Sequence, residues 1–157
     1  MGVLTRAVAS AALAVLVAGP ASSQTLDKKV LSLEAAVKIA GAAEAAAREK
    51  GVGVVIAVVD DGGYLILLHR LDDAQVASVN VGIGKARTAA IYRRPSKDFE
   101  DQIRAGRVAA LALADSTPLQ GGVPIRLDGK VIGAVGVSGD TPQVDEAIAI
   151  AGANAFK

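Results

Sequence analysis

The sequence predicts an α+β fold in which helices cover an antiparallel sheet of four or five strands. Two stretches, residues 52–71 and 124–138, place an Asp-Gly turn between runs rich in β-branched residues, a pattern typical of β-hairpins. Alanine-rich segments before, between and after these stretches indicate helices. Hairpins require antiparallel pairing, and helices distributed in this way can cover both faces of one sheet.

The first helix is predicted to begin after Ser32, whose hydroxyl can cap it, and to end at Gly51. An apolar stripe indicates that this helix lies on a flat surface: Leu33, Ala36, Ala40, Ala43 and Ala47. A buried strand over residues 52–59 follows, and the turn at 60–63 leads to a return strand over residues 64–71.

A loop leads from the first hairpin to a helix that begins at Gln75 or Ser78 and continues to about Tyr92. Pro95 breaks the chain, and Ser96 is predicted to cap a further helix of undefined length.

A small, polar and Gly-rich loop is predicted over residues 114–123. The second hairpin pairs strands over 124–127 and 130–138 around the turn Asp128-Gly129. Thr141, followed by a proline at the first helical position, opens a last helix that runs to about Phe156.

Composition limits the classes of function. A chain of 157 residues is long enough for one domain with a proper core, and 3% aromatic content requires a core of Ala, Val, Leu and Ile. Without the single charge of residues 1–23, Arg6, there are 17 − 1 = 16 basic against 16 acidic residues, and this balance argues against a nucleic-acid partner. The absence of Cys excludes thiol catalysis, disulfides and thiolate metal sites.

Residues 1–23 have the pattern of a secretory signal peptide. A weakly positive start precedes an apolar run that is too short to cross a bilayer, and small residues follow where cleavage after Ala21 or Ser23 would occur. The sequence therefore predicts a cleaved leader and a single domain over residues 24–157. It also predicts a periplasmic or secreted protein with no membrane contact after cleavage.

The segment 82–88, GIGKART, does not fulfil the requirements of a phosphate-binding loop. A Walker loop needs Gly at position 79 and a hydroxyl at 86, where this chain has Val79 and Ala86. Arg87 occupies the position of the third glycine of a dinucleotide fingerprint. A nucleotide site is not expected.

His69 is the only histidine, so one chain cannot build a zinc site from histidines. A strand-end histidine with its tip in water is one interpretation. The other is an axial haem ligand, since that role needs only one nitrogen.

A cluster of charged and polar residues is predicted at the end of the first hairpin that carries His69 and on the helix that follows. Arg70, Asp72 and Asp73 follow the second strand, and Lys85, Arg87 and Thr88 lie on the helix. They are either an ordinary surface ion-pair set or an anionic-ligand pocket in which Arg70 or Lys85 binds a carboxylate.

Three segments together resemble the GlcG/HbpS-type haem-binding (haem-degrading) domain family: VVDDGGYLILLHRLDDA, then KARTAA, then GGVPIRLDGKVIGAVGVSGDTPQVDEAIAIAG. The resemblance implies a profilin-like fold of α/β/α layers around an antiparallel sheet, homo-oligomers and haem binding, with haem breakdown or iron handling in some members. Asp73 stands where the family more often has Gly, and the loop before Gly121 is short.

The resemblance assigns the haem site to residues that match the family's motifs: Arg70, Asp72, Lys85, Thr88, Gly121, Gly122 and Pro124. Thr117 lies where a hydroxyl near haem is expected, and the iron ligand is assigned to His69 or Thr117. The leading hypothesis is an exported, oligomeric haem-binding protein with haem at a subunit boundary, where Arg70 and Lys85 contact its propionates. The alternatives are an enzyme or accessory protein that binds a small carboxylic acid, and a corrinoid-binding module.

Overall fold

The computed structural model describes Gly2 and residues 24–156, so the predicted signal peptide, apart from Gly2, lies outside the described residues. Four strands form one antiparallel sheet in the order β2-β1-β4-β3. The elements in chain order are α1 (Leu33–Lys50), β1 (Val55–Asp60), β2 (Leu65–Arg70), α2 (Ser78–Ile91), α3 (Lys97–Arg104), a 3₁₀ turn (Val108–Ala112), β3 (Gly122–Leu127), β4 (Lys130–Ser138) and α4 (Pro142–Asn154).

Helices cover both faces of the sheet. On one face α1 and α4 pack through Ile39 and Ile148 against strand residues such as Ile56 and Val135. On the other face α2 packs its small residues against Ala57, Val59 and Ala134. The predicted α+β class, with helical layers around a four-stranded antiparallel sheet, is therefore confirmed.

Local signals define the predicted turns and caps. The Asp60 carboxylate accepts hydrogen bonds from the backbone N–H groups of Gly62 and Tyr64, both at 2.9 Å, and so closes the first hairpin. Ser32 caps α1 by accepting from Ala35, and Gly51 ends that helix in the left-handed conformation. Thr141 caps α4 through the backbone N–H of Val144.

The structure differs from the sequence prediction at one cap and at several element boundaries. The hydroxyl of Ser96 does not cap α3, because it accepts from the Gly122 N–H and donates to the Leu119 carbonyl. The strand β3 begins at Gly122, within the predicted loop, since Gly122 pairs with Gly136 of β4. Strand β1 begins three residues late, at Val55, and α4 ends two residues early, at Asn154.

Leu33 was expected on the buried stripe of α1, but it is 59% exposed. Its place in the core is taken by Ile39, which packs against the sheet. Within the described part of the chain, no helix has the length and apolar character needed to cross a membrane.

Candidate functional site

His69 lies on the edge strand β2, and its side chain turns toward α1. Its Nδ1 is 2.9 Å from Oε2 of Glu44 on that helix. The other carboxylate oxygen of Glu44, Oε1, accepts from Nε and Nη2 of Arg48 at 3.0 and 2.7 Å. The His69 side chain remains 32% exposed, so an external ligand can approach the imidazole.

The Glu44 carboxylate is held in its charged form. Hydrogen bonds from Arg48 and then from His69 lower the pKa of Glu44 below its usual value, against the opposing effect of partial burial. An ionised carboxylate can only accept hydrogen bonds, so His69 must be the donor in the contact between them.

Arg70 is the next residue along β2, and alternation along the strand directs it to the opposite face of the sheet from His69. Its side chain is exposed and makes no hydrogen bond or ion pair within the described residues. Asp72 and Asp73 follow in an exposed turn, where Asp73 has a φ of 64°. A glycine is the residue best suited to that backbone conformation, so Asp73 holds it at some cost.

Lys85 is buried rather than exposed. Its Nζ donates to Oδ2 of Asp145 at 2.8 Å and to the backbone carbonyl of Val137 at 2.9 Å, and the two charged side chains are only 5% and 3% exposed. The pair joins α2 to α4 through the strand between them. The prediction that Lys85 contacts a ligand carboxylate stays a prediction, while the structure gives its ammonium two partners inside the fold.

Gly121 and Gly122 pack closely against Lys85, the first near its ammonium and the second against its backbone. A Cβ at Gly121 would lie 3.1 Å from Lys85 Nζ, and a Cβ at Gly122 would collide with the Lys85 backbone carbonyl. Burial raises the pKa of the Asp145 carboxyl, and the hydrogen bond from Lys85 opposes that increase. These two glycines therefore serve close packing around a buried ion pair.

Two of the predicted site residues, Thr88 and Thr117, lie in contact with each other. The Thr88 hydroxyl accepts from the Thr117 backbone N–H at 2.7 Å and donates to the Gly84 carbonyl at 2.8 Å. A side chain at Gly84 would collide with Thr117, so the glycine lets the loop lie directly on α2. Thr88 is fully buried, whereas Thr117 is partly exposed.

Pro124 lies apart from these clusters, in a surface groove of about 310 Å³ between β3 and the C-terminal end of α4. The groove is lined by Val123, Pro124, Ile125, Arg126, Ile150, Ala153, Asn154 and Phe156. Its volume lies at the lower limit of ligand pockets. Among the described residues, no group of three or more His, Asp or Glu side chains is placed to hold a metal ion.

Apart from Pro124, the predicted site residues fall into three groups: His69 with Arg70 and Asp72 at the β2 edge, Thr88 with Thr117 over α2, and Lys85 with the two glycines inside the fold. Two important partners, Glu44 and Asp145, were not predicted. Asp145 had a signal, because it shares the helical spacing of the buried residues Ile148, Ala149 and Gly152. A buried acid on such a stripe requires a buried base.

This fold and these side chains define the class of protein. It is a layered α+β protein with a histidine and an arginine at one open edge of the sheet. The chain belongs to the HbpS-like family, because the family model described as "Haem degrading protein HbpS-like" matches residues 31–154.

Known proteins of similar sequence and structure agree with this membership. Protein GlcG of Escherichia coli strain K12 is 43% identical over 111 residues, which cover 71% of this chain and 83% of GlcG. The crystal structure of HbpS matches with a TM-score of 0.80 at 31% identity, covering 85% of this chain and 95% of HbpS. A solved complex of PduOC with haem matches with a TM-score of 0.74 at 26% identity, covering 81% and 95% of the two chains.

Proposed function

We propose that this protein binds haem at the open edge of β2, with His69 as the iron ligand and Arg70 as the partner of a propionate. The observation that carries the proposal is the His69 imidazole, which is anchored through Nδ1 by Glu44 on an edge strand and remains accessible. The membership of the HbpS-like family and the similarity to the haem-bound PduOC chain support the same ligand.

The chemistry of the side chains fits haem. An imidazole that donates Nδ1–H to a carboxylate keeps Nε2 free for a metal, which is the usual arrangement of metal-bound histidines. Arg70 supplies an exposed guanidinium whose geometry suits a carboxylate. Because adjacent residues of a strand project to opposite faces, His69 and Arg70 flank the same open edge from two sides.

In this proposal haem supplies an iron centre whose potential depends on the axial ligand and its surroundings. The residues of the chain hold and orient the group. Thr117 is the alternative iron ligand, since its side chain is partly exposed. Lys85 acts from inside the fold, where it maintains the packing of α2 and the Gly121–Gly122 segment.

A subunit boundary is the proposed location of the haem. The β2 edge is open in the single chain, and exposed apolar side chains at Tyr64 and Leu65 lie at the start of that strand. A second copy would cover the face of the porphyrin that one chain leaves in water. Light scattering with and without hemin should give a homo-oligomer, and a monomer in both conditions would contradict this part of the proposal.

Export completes the proposal, with residues 1–23 as the leader. Expression in a Gram-negative host followed by N-terminal sequencing of the periplasmic fraction should give a chain that starts at Ser22 or Gln24. An intact N-terminus in the cytoplasmic fraction would contradict export.

Hemin titration tests the binding. The untagged apo protein should give a saturable shift of the Soret band at micromolar hemin. Arg70→Gln should weaken binding about 10- to 150-fold, because a hydrogen bond to a charged group contributes about 1.5–3 kcal/mol. Lys130→Gln removes an exposed cation from the other hairpin and should leave the titration unchanged. His69→Ala should change the spin state of the iron, whereas Thr117→Val should not.

The same titrations separate the other hypotheses. No Soret shift at micromolar hemin would contradict haem binding. Thermal stabilisation by glycolate or a similar acid without any response to hemin would identify a small-carboxylate protein that uses Arg70. A saturable response to cobalamin alone would identify a corrinoid-binding module. If Thr117→Val, and not His69→Ala, alters the iron spectrum, the ligand lies on the α2 side.

A further inference from the structure

We infer that Glu44 is a positioning residue that fixes the tautomer of His69 and directs its Nε2 toward an incoming metal centre. The inference rests on the proposed function, because it concerns the histidine proposed to bind the haem iron. It assigns a role to a residue of α1 that lies 25 positions from the histidine in the sequence.

The two carboxylate oxygens of Glu44 have separate partners. Oε1 accepts both hydrogen bonds from Arg48, at 3.0 and 2.7 Å, and Oε2 faces Nδ1 of His69 at 2.9 Å. Arg48 therefore holds the carboxylate in one orientation and leaves its second oxygen to the imidazole. The arrangement is a chain of three side chains in which the arginine orients the acid and the acid orients the histidine.

Hydrogen-bond chemistry determines the tautomer. Arg48 can only donate and an ionised carboxylate can only accept, so His69 contributes a proton at Nδ1. In a neutral imidazole the other nitrogen, Nε2, then has a free lone pair. This nitrogen has no hydrogen-bond partner within the described residues, and the side chain is one-third exposed.

The packing of α1 keeps the carboxylate within reach of the strand. Ala43 and Ala47 flank Glu44 and are fully buried against the sheet, so small side chains bring this turn of the helix close to β2. Helix α1 therefore anchors the imidazole from the face of the sheet that it covers. A ligand can approach from the open edge of the sheet. An outer partner of this kind also makes the imidazole a stronger ligand.

Nitrogen-15 NMR of the untagged apo protein tests the tautomer without any haem. His69 is the only histidine, so the ring signals need no assignment. In its neutral form, the ring of the wild type should show a protonated Nδ1 and an unprotonated Nε2. In Glu44→Gln, Arg48 keeps the amide oxygen and the amide NH₂ faces the ring, so the proton should move to Nε2. Glu49→Gln, an exposed position on the same helix, should match the wild type.

The haem-bound protein provides the second measurement. Replacement of an outer partner of a metal-bound histidine typically lowers affinity about 10–100-fold. Glu44→Gln and Glu44→Ala should show that loss in hemin titrations, and the reduction potential of any bound haem should rise in both. Arg48→Gln should show a smaller loss in affinity, because the acid keeps its charge but loses its orientation.

The outcomes separate this inference from the proposed function. The same tautomer in the wild type, Glu44→Gln and Glu44→Ala would overturn the role of Glu44, whatever the haem titration shows. A tautomer that responds to both substitutions, with hemin affinity and potential that do not, would also overturn it, because the ligand would then be elsewhere. A failure of the wild type to bind hemin, with the tautomer as expected, would contradict the proposed function and leave the hydrogen-bond chain established.

Discussion

Among the residues that the structure describes, two acid–base pairs join helices to other parts of the fold, and they differ in burial. Lys85 and Asp145 are 5% and 3% exposed, whereas His69 and Glu44 are 32% and 26% exposed. Lys85 has two acceptors inside the fold, and Asp145 accepts from both Lys85 and the Asp140 backbone N–H. His69 uses one ring nitrogen for its partner and keeps the other accessible.

The difference shows that the type of a charged residue does not determine its role. Lys85 has the chemistry to bind a propionate, and in the structure its buried ammonium bonds Asp145 of α4 and the Val137 carbonyl of β4. His69 is a weaker candidate from its sequence position alone, yet its partial exposure on an edge strand leaves Nε2 accessible. A pair that is fully satisfied stabilises one arrangement of the fold. In the proposed function, the half-satisfied pair of His69 and Glu44 orients the imidazole for a ligand.

Removal of one partner of the buried pair should have the largest effect. Asp145→Ala leaves the Lys85 ammonium buried and unpaired, and such changes cost about 3–5 kcal/mol. Urea denaturation monitored by circular dichroism should show a decrease of that size in the free energy of unfolding. The double variant Lys85→Met/Asp145→Leu should recover most of the loss, because an apolar pair avoids the desolvation cost. Equal losses in the single and double variants would contradict the interpretation of these residues as a pair.

The contact between Gly84 and Thr117 should give an intermediate effect. Gly84→Ala places a methyl group where the Thr117 side chain lies, and overpacking of this kind costs about 1–3 kcal/mol. Gly41→Ala provides a matched control on α1, since nothing lies within 4 Å of the added Cβ. That substitution should stabilise the protein by about 0.5–1 kcal/mol through helix propensity. Thermal denaturation of both variants tests the contrast, and a stabilising Gly84→Ala would exclude a close contact with Thr117.

The sequence predicted the features that depend on local interactions. The turn at residues 60–63, the Ser32 cap and the Gly51 stop each rely on partners within a few residues, and all three are present. Ser96 had the same local signal as Ser32, but it fails as a cap. Its hydroxyl bonds Gly122 and Leu119, which lie 26 and 23 positions away.

The same distinction explains what could be predicted of the site. His69 and Arg70 lie at the strand end where the hairpin pattern places them. The burial of Lys85 could have been predicted from helical periodicity, because Lys85 shares its face of α2 with Gly82, Ala86 and Ala89. Its pairing with Asp145, however, joins residues 60 positions apart, and spacing alone does not reveal such a contact. Helix α1 likewise contains several acids, and only the three-dimensional packing selects Glu44 for His69.

The smallest effect should come from the partly exposed pair of His69 and Glu44, and it should depend on pH. The pKa of Glu44 is lowered in the folded protein from its ordinary value of 4.5, mainly by Arg48 and then by His69. The native state therefore binds this proton less readily than the unfolded chain, so Glu44 contributes stability above about pH 4.5 and loses it as the pH falls through the folded pKa. Exposed pairs typically contribute less than about 1 kcal/mol.

Urea denaturation between pH 6 and pH 3 should measure this contribution. The free energy of unfolding should fall more steeply with decreasing pH in the wild type than in Glu44→Gln, and the two curves should converge at the acid end. Glu34→Gln, an exposed change of equal charge in the first turn of α1, corrects for the change in net charge. Parallel curves for the wild type and Glu44→Gln would mean that the bonds from Arg48 and His69 add nothing to stability. The exposed pair would then differ from the buried one in kind, because it would orient a side chain without stabilising the fold.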